Sequence, residues 1–131
     1  MSDAAFLLVD DDKTVLDSLR GQLRRVFGDN YVYEAAENVP EAWEVIDELH
    51  DTGMRTVVVV SDWLMPGVRG DAFLAEIRER FPEIVRILLT GQADAEAIER
   101  AHQVAQVAEV FHKPWDIDEL TTAIRRELEQ P

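Results

Sequence analysis

Apolar residues along the chain form two kinds of pattern, and the two alternate. Short continuous apolar runs are typical of strands that are buried on both faces of a parallel sheet. Longer stretches with apolar residues three or four positions apart are typical of helices that bury one face. The runs predict five strands, at residues 6–9, 31–36, 56–60, 85–89 and 107–111.

Five helical stretches follow these strands. The first ends at the Gly-Asp-Asn sequence of residues 28–30, and the third ends before Pro82. Asn38 is predicted to cap the second helix and Asp116 the fifth, whereas the fourth, near residues 94–103, is only weakly amphipathic. The predicted buried stripes are Val15, Leu16, Leu19, Leu23, Val26 and Phe27; Ala42, Trp43, Ile46 and Leu49; Phe73, Leu74 and Ile77; Ala97, Ile98 and Ala101; and Ile117, Leu120, Ile124 and Leu128.

This alternation of strands and helices predicts one fold class. Right-handed crossovers between the strands give a doubly wound α/β domain, in which helices cover both faces of a five-stranded parallel sheet. A length of 131 residues suits a single domain over residues 1–131. Ligands of such folds bind beyond the carboxyl ends of the strands, so the residues that follow each strand are the first place to look for chemistry.

Composition narrows the possible partners. The chain carries 27 acidic and 13 basic residues, a formal net charge of −14, which disfavours binding to nucleic acid or to an anionic membrane surface. It has no cysteine, which excludes disulfides and thiolate metal sites. The apolar runs, such as residues 4–9 and 57–60, are far shorter than the roughly 20 residues of a membrane span. We expect a soluble, cytoplasmic protein.

Carboxylates follow two of the predicted strands. Asp10, Asp11 and Asp12 come directly after the first strand, and Asp62 follows the third. Asp12 is interpreted as the cap of the next helix. The other three converge at one edge of the sheet, where their repulsion is costly unless a cation is bound. Oxygen ligands without histidine or sulfur favour a hard divalent cation, and we predict Mg²⁺.

Two further strand ends complete the predicted site. The chain has only two lysines, and Lys113 directly follows the fifth strand, where its ammonium could pair with Asp62 or with a phosphoryl group on it. Thr90 offers a hydroxyl donor after the fourth strand, and Gly91 leaves room for a ligand. The chemistry that fits is phosphoryl transfer to a carboxylate, with Asp62 as the nucleophile.

These residues resemble the receiver domain of bacterial two-component response regulators. The resemblance covers almost the whole chain, and its motifs occur in the family's order. They are residues 8–12 (LVDDD), residues 61–66 (SDWLMP) with Gly70, residues 89–91 (LTG), and residues 113–114 (KP). The family's fold is the flavodoxin-like (βα)5 arrangement with strand order 2-1-3-4-5.

The resemblance implies a role in phosphorelay signal transduction and not an enzyme with an external substrate. Asp62 would accept a phosphoryl group from a histidine kinase or phosphotransfer protein. Thr90 and Lys113 would bind that group and switch the surface of helix 4, strand 5 and helix 5 toward a downstream effector. A cis bond is expected between Lys113 and Pro114. The implied Mg²⁺ ligands are Asp10, Asp11, Asp62 and the backbone carbonyl of Leu64.

One position departs from the family pattern, and two others are positions that vary within the family and affect loss of the phosphoryl group. Where the family often carries a switch aromatic, this chain has Val110, and the neighbouring Phe111 is interpreted as core. Leu64 and Gln92 occupy the two positions that tune loss of the phosphoryl group. Apolar Leu64 cannot orient a water by hydrogen bonding whereas Gln92 can, so we expect a moderate phosphoryl lifetime.

The sequence after the lysine also resembles particular subfamilies. Residues 113–116 read Lys-Pro-Trp-Asp, as in receivers fused to cyclic-di-GMP phosphodiesterase modules or to hydrogenase-type regulators. This resemblance suggests that the chain is the N-terminal piece of a longer regulator.

Three alternatives differ in how well they fit these residues, and the second of them fails on charge. In a haloacid-dehalogenase-type phosphatase, Asp10 would be the nucleophile, Asp12 the general acid, and Thr90 and Lys113 phosphate ligands, but Asp62 would have no role. A flavodoxin-like cofactor binder needs a phosphate-cradling loop where this chain has three carboxylates. The third alternative is a pseudo-receiver that binds a partner without being phosphorylated.

Overall fold

The computed structural model describes residues 3–91 and 95–129, which form five strands and five helices with two short helical turns. The strands are β1 (Ala4–Val9), β2 (Val32–Ala36), β3 (Arg55–Asp62), β4 (Val85–Thr90) and β5 (Glu109–His112). The helices are α1 (Lys13–Phe27), α2 (Val39–Asp51), α3 (Gly70–Arg80), α4 (Ala95–Arg100) and α5 (Ile117–Leu128). A 3₁₀ turn, Gly28–Asn30, follows α1, and a π-helical turn, Ala101–Ala105, continues α4.

The five strands form one parallel sheet in the order β2-β1-β3-β4-β5. The predicted fold class and strand order are therefore confirmed. One apolar cluster packs α2, α3 and the π-helical turn against one face of the sheet. A second cluster packs α1 and α5 against the other face. Strands β1, β3 and β4 are buried between these layers, which is why their sequences read as continuous apolar runs.

The predicted helix boundaries follow their caps. Asp12 accepts a hydrogen bond from the backbone N–H of Thr14, Asn38 accepts one from Glu41, and Asp116 accepts from residues 118 and 119. The stripe residue Trp43 is only half-buried, because it lies at the edge of the core with its ring against Phe73. Val26 is exposed rather than buried.

The fifth strand begins later than predicted. The prediction placed it over residues 107–111, whereas β5 spans Glu109–His112. Val107 is buried, but its N–H bonds to the carbonyl of Ala101 and therefore closes the turn after α4. Val107 is apolar because it packs the end of a helix, and its pattern alone does not distinguish it from a strand residue. In the fourth helix, residue 94 and the side chain of Ala97 lie outside the described residues.

A buried arginine ties the end of the π-helical turn to the sheet. Arg86 lies in β4, and its guanidinium donates to the carbonyls of Ala105 at 2.8 Å and Gln106 at 3.1 Å. It also donates to the carbonyls of Pro82 at 3.1 Å and Ile84 at 2.9 Å. Burial lowers the pKa of Arg86, but these four acceptors satisfy the charged group. The carboxyl-terminal end of the fourth helix is therefore fixed in place.

Candidate functional site

Strand pairing brings the three predicted carboxylates together. Val9 pairs with Ser61 in the β1–β3 ladder, so Asp10 and Asp62 leave the sheet side by side. Asp10 is 2% exposed and Asp62 7% exposed, whereas Asp11 is exposed to solvent. One carboxylate oxygen from each of these three residues lies within 4.8 Å of the others. The parallel sheet therefore gathers three negative charges in one small volume.

The third aspartate of the run does not join this group. The backbone N–H of Asp12 donates to Asp10 Oδ1 at 2.8 Å, and Asp12 itself accepts from the N–H of Thr14 at 2.9 Å. Asp12 is exposed and begins α1. The prediction that Asp12 is a helix cap is confirmed, and the same turn holds the Asp10 carboxylate in a fixed orientation.

Lys113 lies between the two buried carboxylates. Its Nζ is 2.7 Å from Asp10 Oδ2 and 3.0 Å from Asp62 Oδ1. The backbone N–H of Lys113 donates to the carbonyl of Thr90 at 2.8 Å, and the Lys113–Pro114 bond is cis as expected. The predicted pairing with Asp62 is therefore present. The shorter contact to Asp10 was not foreseen, because no sequence pattern shows how far a lysine reaches across two strands.

The charges at this edge shift the pKa values of two groups. Burial raises the pKa of Asp62 and the negative charge of Asp10 raises it further, although the hydrogen bond from Lys113 works in the opposite direction. Burial by itself lowers the pKa of Lys113, but its contacts with Asp10 and Asp62 outweigh burial and raise it. One ammonium therefore offsets only part of the repulsion among three carboxylates.

The donor atoms at this edge fit a hard divalent cation. They are carboxylate oxygens, with no histidine or sulfur among the grouped ligands. The exposed Asp11 leaves one side of the group open to solvent, which suits Mg²⁺ because that ion keeps several of its waters. Leu64 is 53% exposed in the loop after Asp62, and its carbonyl as a further ligand stays a prediction.

The other predicted site residues lie at the same edge. Thr90 is fully buried at the end of β4, opposite His112 of β5. A Cβ at Gly91 would meet no atom within 4 Å, so the proposed role of this glycine toward a ligand stays a prediction. Gln92 lies outside the described residues. Val110 and Phe111 are half-buried and pack against opposite faces of the sheet, Phe111 against the cluster beneath α1 and α5.

A glycine whose role the sequence did not reveal closes the loop after Asp62. The N–H of Gly70 donates to the carbonyl of Trp63 at 2.7 Å, which joins the two ends of the loop. A Cβ on Gly70 would overlap the backbone carbonyl of Asp62 and crowd Ser61 Oγ. Only glycine allows α3 to begin this close to Asp62. The glycine was visible as part of a motif, but the contact that requires it lies in the folded loop.

Fold and site together define a class of protein. The protein is a doubly wound α/β domain with an acidic, lysine-paired site at the carboxyl edge of its sheet. A sequence model of the response regulator receiver domain matches residues 6–125. The chain belongs to the response regulator receiver family, a module of two-component signalling.

Relatives agree with this assignment. The chain is 36% identical to the hydrogenase transcriptional regulatory protein HoxA of Cupriavidus necator, over 98% of this chain and 25% of that protein. It is 31% identical to the DNA-binding transcriptional regulator NtrC of Escherichia coli K12, over 92% of this chain and 24% of that protein. The chain thus spans about a quarter of the length of these regulators.

A solved structure supports the same fold. The crystal structure of the signal receiver domain of an HD domain-containing protein from Pseudomonas fluorescens Pf-5 superposes with a TM-score of 0.84. It is 29% identical and covers 98% of this chain and 89% of that one. In the described parts of this chain, 3–91 and 95–129, no helix is long and apolar enough to cross a membrane.

We expect Asp62→Asn to stabilise the protein at pH 7 without Mg²⁺. The pKa of Asp62 is raised above 3.8 by folding, so stability falls as pH rises from that value through the folded pKa and stays reduced at neutral pH. Asparagine removes this cost, and Lys113 keeps its contact with Asp10. The expected gain of about 1 kcal/mol raises the thermal midpoint by roughly 2–5 °C.

The matched control for this measurement is Asp12→Asn. It removes the same charge at the exposed cap, where asparagine caps a helix as well as aspartate, so its midpoint stays nearly unchanged. A lower midpoint for Asp62→Asn contradicts the assignment of Asp62 as a destabilising charge. An equal rise of the thermal midpoint in both variants would show that the change in net charge, and not the position of Asp62, causes the effect.

We expect Gly70→Ala to destabilise the protein strongly. The new methyl group would overlap the carbonyl of Asp62, so the loop has to shift, at a cost of about 3 kcal/mol or more in unfolding free energy. Gly21→Ala is the control. Gly21 lies in helix α1, and a Cβ there meets no atom within 4 Å. Alanine at this position is expected to raise the free energy of unfolding by roughly 0.5–1 kcal/mol. Urea unfolding measures the free energy of unfolding of both variants. A decrease below about 1 kcal/mol for Gly70→Ala would show that the loop tolerates a side chain.

Proposed function

We propose that this domain accepts a phosphoryl group on Asp62 in a Mg²⁺-dependent reaction and transmits the change to a downstream effector. The observation that carries the proposal is the position of Lys113 Nζ, 2.7 Å from Asp10 and 3.0 Å from Asp62, beside a third carboxylate from Asp11. This arrangement supplies a nucleophile, a cation site and a positive charge for a phosphoryl oxygen.

The reaction is a displacement at phosphorus. An oxygen of the ionised Asp62 carboxylate forms a bond to phosphorus while the bond to the donor breaks, and the electron pair of that bond leaves with the donor. Mg²⁺ bound by Asp10, Asp11 and Asp62 would neutralise charge on the transferring group. Lys113 would keep its contact with Asp10 while its ammonium pairs with a phosphoryl oxygen. Thr90, at the end of the neighbouring strand, is the proposed hydroxyl donor to another oxygen.

The phosphatase alternative fits the structure poorly. It requires Asp12 as general acid, but Asp12 is exposed and engaged with the N–H of Thr14 at the start of α1. Asp62 is buried and in contact with Lys113, an arrangement that has no purpose if Asp10 is the nucleophile. We therefore infer that the domain is a phosphoacceptor and that it does not turn over external phosphate esters.

Partners follow from the same proposal. The phosphoryl donor is a histidine kinase or a phosphotransfer protein, and the domain acts in the cytoplasm without binding nucleic acid or membrane itself. The similarity to a hydrogenase transcriptional regulator and to the receiver of an HD domain-containing protein favours an effector of one of these two kinds. Because the chain spans about a quarter of HoxA, we propose that it is the receiver of a longer regulator.

Intact mass after treatment with acetyl phosphate tests the phosphoacceptor. We expect one phosphoryl adduct per chain when Mg²⁺ is present, far less when the ion is removed by chelation, and none in Asp62→Asn. Asp12→Asn is the matched control and is expected to be modified like the wild type, because it leaves the three grouped carboxylates in place. An adduct that persists in Asp62→Asn, or continuing hydrolysis of the donor by that variant, contradicts the proposal and favours Asp10 as the nucleophile.

A further inference from the structure

A long ion pair between helices α3 and α4 joins two side chains that each carry a buried polar atom without a hydrogen-bond partner. In the part of the chain that the structure describes, four buried side-chain polar atoms lack a hydrogen-bond partner, and Asp71 Oδ1 and Arg100 Nε are two of them. Arg100 Nε lies 3.8 Å from Asp71 Oδ2. The side chain of Asp71 is only 7% exposed, that of Arg100 41%. A short movement would turn this ion pair into a hydrogen bond.

Asp71 is rigidly connected to the phosphoacceptor. It follows Gly70, whose N–H closes the loop that begins after Asp62 and whose Cα leaves no room for a side chain. Arg69 approaches the same carboxylate from the loop, with Nε 3.3 Å from Oδ1 and Nη2 3.4 Å from Oδ2. These contacts are long for charge-assisted hydrogen bonds, so the buried carboxylate retains capacity for a better partner.

Arg100 lies where the opposite helix can pivot. It is the last residue of α4 and directly precedes the π-helical turn, whose end is fixed by Arg86 through the carbonyls of Ala105 and Gln106. Arg78 of α3 adds a hydrogen bond to the carbonyl of Val104 at 3.3 Å. These bonds hold that end of the helix, so a movement of α4 about the held end would displace Arg100 only a little. A shift of about 1 Å brings Arg100 Nε to the usual distance of a charge-assisted hydrogen bond.

We propose that Asp71 and Arg100 form a latch that closes when Asp62 is phosphorylated. The inference rests on the proposed function of Asp62 and adds a positioning pair that links the phosphoacceptor loop to helix α4. A contact that forms in only one of two states stabilises that state. By reciprocity, closing the latch strengthens binding of a phosphoryl group, or of an analogue, at Asp62. The ion pair of Arg100 with Glu96, at 3.9 Å, lies within the helix and is not expected to change.

The test is the affinity of the protein for beryllofluoride in the presence of Mg²⁺, followed by the emission of Trp63 beside Asp62. Wild type, Asp71→Asn, Arg100→Met and the double variant are compared. Each single variant is expected to bind beryllofluoride roughly three- to tenfold more weakly than the wild type. This decrease corresponds to the loss of one charge-assisted hydrogen bond that is partly screened by solvent. The double variant is expected to bind no more weakly than either single one, because both changes remove the same contact.

Glu96→Gln is the matched control, because it removes the other ion pair of Arg100 and is expected to change the affinity less than twofold. If Asp71→Asn fails to fold, Arg100→Met compared with Arg100→Lys still tests the latch, and lysine is expected to restore only part of the affinity. Unchanged affinity, tighter binding, or additive losses in the double variant overturn the latch while leaving phosphorylation intact. A wild-type protein that binds no beryllofluoride overturns the proposed function itself.

Discussion

The ammonium of Lys113 is the constraint on which the carboxyl edge of the sheet depends. Three carboxylates meet there, two of them buried, and the only basic side chain in contact with the buried pair in the described structure is this lysine. The sheet topology brings these carboxylates together, because β1 and β3 are neighbours, Asp10 follows β1 directly and Asp62 ends β3. Lys113 reduces the electrostatic repulsion among the carboxylates without cancelling it. Because negative charge at the site stays only partly compensated, a bound cation would stabilise it further.

The rest of the domain holds this edge in place. The backbone N–H of Asp12 donates to the Asp10 carboxylate and orients it, and Gly70 fixes the loop after Asp62. Arg86 fixes the far end of the fourth helix through the backbone carbonyls of Ala105 and Gln106. The first two anchors lie at the site, and the third lies at the opposite end of β4. Under the proposed function, a phosphoryl group on Asp62 would act on a site whose flanking groups are already held in place.

Much of this organisation could be predicted from the sequence. Continuous apolar runs identify buried strands, and the order of elements allows few topologies, so the residues after the strands can be placed at one edge. The fifth strand was misplaced because Val107, although apolar, packs a helix end instead of entering the sheet. The contacts of Gly70 and Arg86, and the short distance from Lys113 to Asp10, depend on backbone positions that only the folded chain defines.

The proposed function requires that Asp62 carries the phosphoryl group as an acyl phosphate. Borohydride reduces an acyl phosphate to an alcohol, so treatment after phosphorylation converts the modified aspartate into homoserine, which peptide sequencing by mass spectrometry can locate. We expect homoserine at position 62, only in samples that contained both Mg²⁺ and the donor. Homoserine at position 10, or a phosphoryl adduct that borohydride does not reduce, would contradict it.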